Sequence, residues 1–94
     1  MQKEKFELGK ILTTKGIADR TLEDKSFASF VSDCLMRHAN GDWGDVSEED
    51  RQENETSLKE GLRLLSVYRL EKEEIWIATE ADRATTTVSF PGEY

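Results

Sequence analysis

A chain of 94 residues, 36% hydrophobic and 35% charged with two tryptophans, reads as a single folded domain over 1–94 with room for one thin core, not as a disordered segment. Its net charge of −7 disfavours non-specific binding to nucleic acid or anionic lipid and is compatible with a basic partner. Met1-Gln2-Lys3-Glu4-Lys5-Phe6 has no apolar run behind its lysines and reads as no signal peptide, no stretch is long enough to cross a bilayer, and the lone Cys34 points to a reducing cytoplasm.

In chain order, Phe6 to Thr13 reads as a first strand, broken by Gly16. Thr21 to Asp24 has the shape of a helix cap. Phe27, Phe30, Val31, Cys34, Leu35 and His38 then fall three and four apart, a single helical stripe that Asn40 and Gly41 terminate. Ser47 to Asp50 forms a second cap, opening a helix over about Glu48 to Glu60 that is polar on nearly every side. Its apolar residue is Leu58, with Val46 just before it, so either the helix hangs on the surface by its ends or, the favoured reading, Asp50 and Asn54 point inward and meet polar partners. Gly61 closes that helix. Leu62–Leu70, Ile75–Thr79 and Ala84–Phe90 read as three strands joined by charged turns, and Pro91 ends the last. Thr86, Val88 and Phe90 are expected inside, with Thr85, Thr87 and Ser89 outside. The order β-α-α-β-β-β implies an α+β fold, two helices packed on one face of a small, mainly antiparallel sheet.

The charge is not spread evenly. Between Asp42 and Glu60 lie eight acids and two bases, so nearly all of the net −7 sits in one ribbon of sequence. Ahead of it, Gly41-Asp42-Trp43-Gly44-Asp45 is too constrained in residue type to be filler. Gly41, Asp42, Trp43, Gly44, Asp50 and Asn54 are expected to structure the turn. Asp45, Glu48, Glu49, Glu53 and Glu55 are the acids placed to meet a basic protein surface, such as the arginine- and lysine-lined groove of a nucleic-acid-handling complex. The same run also reads as a solvated helix face.

His38 is the sole histidine. At a helix C-terminus on an apolar stripe it reads first as structural, satisfied by Asp42 or a backbone carbonyl. The enzymatic alternative groups His38 with Tyr68, Arg69, Arg83, Thr85 and Thr87 as a small ribonuclease, the imidazole deprotonating a 2′-OH and an arginine holding the phosphate. No metal site is expected, since Cys34 and His38 lack a Cys or His pair to complete them. No cofactor is expected either, because no phosphate-binding glycine loop is present. Cys34 reads as core. Trp76 alternates against Ile75 and Ile77, which with Thr85 and Thr87 predicts an exposed sheet face able to pair two copies.

His38-x-x-Gly41-Asp42-Trp43-Gly44-Asp45, Glu49-Asp50, Glu53-Asn54, Ser66-x-Tyr68, the run Ile75-Trp76-Ile77-x-Thr79-Glu80-Ala81-Asp82-Arg83-x-x-Thr86-Thr87 and Pro91-x-Glu93-Tyr94 span about Phe6 to Tyr94. Together they resemble a family of short reading frames carried by plasmids, integrative elements and phages, often labelled plasmid-related or mislabelled as a type I restriction subunit. The resemblance implies mobile-element cargo, where small acidic proteins that block CRISPR or restriction defences are common. The helix-then-meander order is also similar to barnase/EndoU/RelE-type ribonucleases. The chain departs from them in having one histidine, no evident catalytic lysine or glutamate, and an acidic surface.

Overall fold

The computed structural model describes residues 4–93. The Met1–Lys3 start and Tyr94 of the last motif lie outside them. The elements are β1 (Lys10–Thr13), α1 (Lys15–Glu23), α2 (Lys25–Ala39), α3 (Glu48–Glu60), β2 (Leu64–Leu70), β3 (Glu73–Thr79) and β4 (Thr85–Ser89). The α+β class and the order of elements follow the sequence reading, with one helix more. The sheet order is β1-β4-β3-β2, antiparallel across β2–β3–β4 and parallel between β1 and β4.

Helices α1 and α2 cover one face. Ile17, Phe27, Val31 and Cys34 meet Tyr68, Ile75, Ile77 and Val88 from the strands, with Phe30, Leu35 and Phe90 packed around them. At about 1.5–3 kcal/mol per large apolar side chain, this cluster is the main stabilising element of so small a domain. The α2 stripe is where its spacing places it, but its cap is Asp24, whose Oδ1 accepts from the Ser26 and Phe27 amides. Thr21 lies inside α1 and donates to the Ala18 carbonyl instead. The first strand is shorter than expected and begins at Lys10, because Phe6 leaves the sheet to stack on Trp43, ring centroids 6.1 Å apart.

α3 is capped by Ser47 and closed by Gly61 in the left-handed region at φ 73, as its sequence requires. It does not lie on the helical face. It stands beside the outer edge of β2, held there by Asn54. In β4, Thr86 and Val88 point inward and Thr85 and Thr87 are half-buried on the other face. Ser89 departs from expectation: it is buried, and its hydroxyl has no hydrogen-bond partner among the described residues. Its register partner is Trp76, the largest side chain on that face. No helix among the described residues is long and apolar enough to cross a membrane.

Candidate functional site

The turn from Asp42 to Asp45 closes the edge of β2. Gly41 sits at φ 81 and Gly44 at φ 78. A Cβ on Gly44 would lie 2.1 Å from the Val67 carbonyl oxygen, so only glycine lets the turn approach the strand. That approach forms a parallel bridge, in which the Asp45 amide donates to the Val67 carbonyl at 2.6 Å and the Val67 amide donates to the Trp43 carbonyl at 3.2 Å. The Arg69 amide donates to Asp45 Oδ2. On α3, the Asn54 amide accepts from the Leu65 N–H at 3.1 Å and donates to its carbonyl at 2.7 Å. Alternate residues of an edge strand that would offer unpaired groups to another chain are thereby satisfied within the molecule. Asp42 holds the turn itself: it accepts from Arg37 at 2.8 and 3.2 Å and from the Gly44 amide, and its carbonyl accepts from the Tyr68 hydroxyl. The Arg37 guanidinium holds the Asp42 carboxyl below the usual range. Trp43 is buried, and its indole N–H donates to Glu55 at 2.7 Å. Of the six residues expected to structure the turn, Gly41, Asp42, Trp43 and Gly44 build it, Asn54 instead ties α3 to Leu65 of the strand, and Asp50 does neither. Its side chain is exposed beside Val46 and Asn54, because the single inward position of α3 is filled by Asn54.

The five acids expected to meet a partner divide by helical phase and by engagement. Asp45 is occupied by the Arg69 amide, Glu55 by Trp43, and Glu48 by Arg51. Glu49 and Glu53 are exposed and engaged in no hydrogen bond or ion pair among the described residues, and Glu60 shares that condition. At 100° per residue these three fall within about 40° of one another, along a flank of α3 roughly 100–140° round from Asn54. Arg51 and Lys59 lie off that stripe by roughly 80° or more. The unengaged glutamates are therefore gathered along one flank of the helix, while Glu48, Asp50 and Glu55 lie roughly 60° or more off it.

His38 is fully buried and its surroundings fix its chemistry. Nδ1 is 2.5 Å from Ser66 Oγ, Nε2 is 2.9 Å from Thr79 Oγ1, Thr79 Oγ1 is 2.7 Å from Thr86 Oγ1, and Thr86 Oγ1 donates to the Leu8 carbonyl at 2.7 Å. A carbonyl only accepts, so the order of donors follows. Thr86 gives its proton to Leu8, Thr79 gives its proton to Thr86, and His38 must donate from Nε2. Nδ1 then accepts from Ser66, which assigns the neutral Nε2–H tautomer. Burial, with Arg83 nearby, pushes the imidazole down to about 4. Phe6 and Trp43 wall the ring edge-on, centroids 5.2 and 5.8 Å away.

The ribonuclease constellation is not assembled. Tyr68 shares the inner face with His38, and burial raises its phenol. Thr85, Thr87 and Arg69 belong to the opposite face, where Arg69 bonds Glu74 at 2.8 Å. Arg83 lies over the Phe6 ring at 5.6 Å, and its guanidinium donates to the Leu62, Glu80 and Ser57 carbonyls, closing the C-terminus of α3. An imidazole with no exposed surface and both nitrogens engaged has no route to a substrate hydroxyl while the core is closed. Burial pushes the Cys34 thiol up to about 12, away from nucleophilic chemistry. Among the described residues no group of three or more His, Cys, Asp or Glu side chains is gathered as a metal site.

What the acidic residues do border is a cleft of about 620 Å³ between α3 and the sheet, lined by Glu49, Glu53, Ser57, Leu62, Arg63 and Leu65 among others. Beside it a second hollow of about 510 Å³ runs past Arg63 and Leu65 to Trp76 and Glu80. Leu65 and Val67 are half-buried floor residues that the sequence reading passed over. Their signal was present: in β2 they alternate against Leu64, Ser66 and Tyr68, which face the core. Comparison of the chain with protein-family models, with curated proteins and with solved structures finds no match.

Proposed function

We propose that this chain is a mobile-element-encoded cytoplasmic protein that binds and inhibits a host nucleic-acid-handling defence complex, of the anti-CRISPR or anti-restriction type, through its acidic turn and α3. The observation that carries the reading is the stripe of Glu49, Glu53 and Glu60, exposed and unengaged on one side of a helix that contributes only Asn54 as a buried residue. A helix polar all round spends little of its surface on the core, which leaves it available for recognition. The arginine- and lysine-lined groove of a nuclease is built for phosphates, and a row of carboxylates can occupy it instead. Asp45, Glu48 and Glu55 hold scaffold contacts, so the contacting role concentrates on Glu49 and Glu53.

The test is DNA cleavage by purified CRISPR and restriction nucleases with and without the protein, at low and raised salt. Inhibition that weakens with salt and disappears in Glu49→Lys/Glu53→Lys supports the reading. Inhibition indifferent to salt and to charge reversal, or none against either nuclease type, refutes it.

A further inference from the structure

We infer that the cleft between α3 and the outer face of β2–β3 receives a cationic amphipathic helix of the partner, apolar side down. The inference rests on the inhibitor reading and names the segment that the acidic ribbon would hold.

Three features of the cleft converge on this occupant. Its floor is apolar and unpartnered: Leu62 is 51% exposed, and Leu65, Val67 and Trp76 are only half-buried. Its α3 wall is acidic, with Glu49 and Glu53 lining the main hollow and Asp50 the recess beside Val46 and Val67. The opposite rim is mixed, Arg63 standing 3.4 Å from Glu80. An apolar trough with a carboxylate wall matches a helix that carries leucine-like residues on one face and lysine or arginine along its flank.

The backbone of β2 narrows the choice further. The N–H and C=O of Leu65 and of Val67 on the free edge are bonded to Asn54, Trp43 and Asp45. An extended peptide therefore has no ladder to join there, and recognition falls to side chains entering the hollows. A second copy of this chain is a poor occupant. Seating it would bring two acidic α3 ribbons together, and like charges across an interface oppose association.

The experiment is an amide and indole NMR titration of the 15N-labelled protein with a synthetic leucine–lysine peptide patterned i, i+3, i+4. A scrambled peptide of the same composition and a glutamate-for-lysine analogue serve as controls. Shifts at Leu65, Val67 and the Trp76 indole, with the buried Trp43 indole unmoved, support the inference. Affinity should fall by about tenfold or more in Glu49→Lys/Glu53→Lys, and less steeply in Leu62→Ser, whose residue lies outside the strands.

Equal binding of the scrambled peptide overturns the inference, as does a response centred away from the cleft. So does a dimer seen by light scattering that Trp76→Ala dissolves and the peptide does not displace. Nuclease inhibition that persists without any peptide response removes the cleft and leaves the inhibitor reading standing. A seated peptide with no nuclease inhibited upholds the cleft and removes that reading.

Discussion

Acid should destabilise this protein through His38, beginning just below neutral pH. The imidazole has an ordinary value of 6.5 and is pushed down to about 4 in the fold, by burial first and by Arg83 second. The unfolded chain therefore takes up the proton before the folded one does. Stability from this group is whole above about pH 6.5, declines by about 1.4 kcal/mol per pH unit below it, and levels off below about pH 4. At pH 5 the loss is about 2 kcal/mol, and the full span is about 3 kcal/mol, a large share of the 5–15 kcal/mol typical of a domain. Protonation would also force Nδ1 to donate, breaking the bond it accepts from Ser66. Urea unfolding followed by circular dichroism from pH 7.5 to 5 measures the slope. Because His38 is the sole histidine, its NMR titration in the folded state reads the same quantity without assignment ambiguity. His38→Gln should cost stability at neutral pH and flatten the slope between pH 6.5 and 5.5. An imidazole titrating near 6.5 in the folded protein, or nitrogen shifts of an Nδ1–H tautomer, would refute the donor order argued from Leu8.

Three further outcomes follow from the edge of β2 and from the chain's end. Gly44→Ala places a methyl 2.1 Å from the Val67 oxygen at a positive φ, and should lose about 3 kcal/mol or more in denaturant unfolding; a loss under about 1 kcal/mol would mean the turn relaxes freely. Asn54→Ala removes two hydrogen bonds to Leu65 and should cost about 2 kcal/mol, with faster amide exchange at Leu65 as its local mark and aggregation through the bared edge as its global one. Glu93, held low by the Thr14 hydroxyl and the Phe90 and Gly16 amides, should loosen as pH falls through its depressed value; in Glu93→Gln, exchange at Gly16 should quicken and lose that pH dependence.

The legibility of the sequence tracks how local each determinant is. α3 was readable to its ends because Ser47 and Gly61, its caps, are adjacent in sequence. The α2 stripe was readable because 3.6-residue periodicity is intrinsic to the segment. α1 was not, for a physical reason: it buries only Ile17, it carries Gly16 and Thr21, and Thr14 at its N-cap makes no side-chain cap bond. Its first turn is completed by Glu93, which accepts from the Gly16 amide 77 residues away. The departure of Phe6 from the first strand is likewise tertiary, since its partners are His38 and Trp43. In the candidate site, the acidic ribbon was plain in composition. Which of its acids are engaged depended on Trp43, Arg69 and Arg51 reaching Glu55, Asp45 and Glu48, and the strand contacts among these are invisible to helical phase.

Thr14 and Glu93 share a hydrogen bond of 2.6 Å across 79 residues of chain, and β1 lies parallel to β4. During synthesis the first strand and first helix must wait for the last strand to emerge. At ordinary elongation rates of 5–20 residues per second that interval is about 4–16 s. Throughout it Ile11, Leu12 and Ile17 have no β4 to lie against, and of the three only Ile17 ends fully buried once the strand arrives.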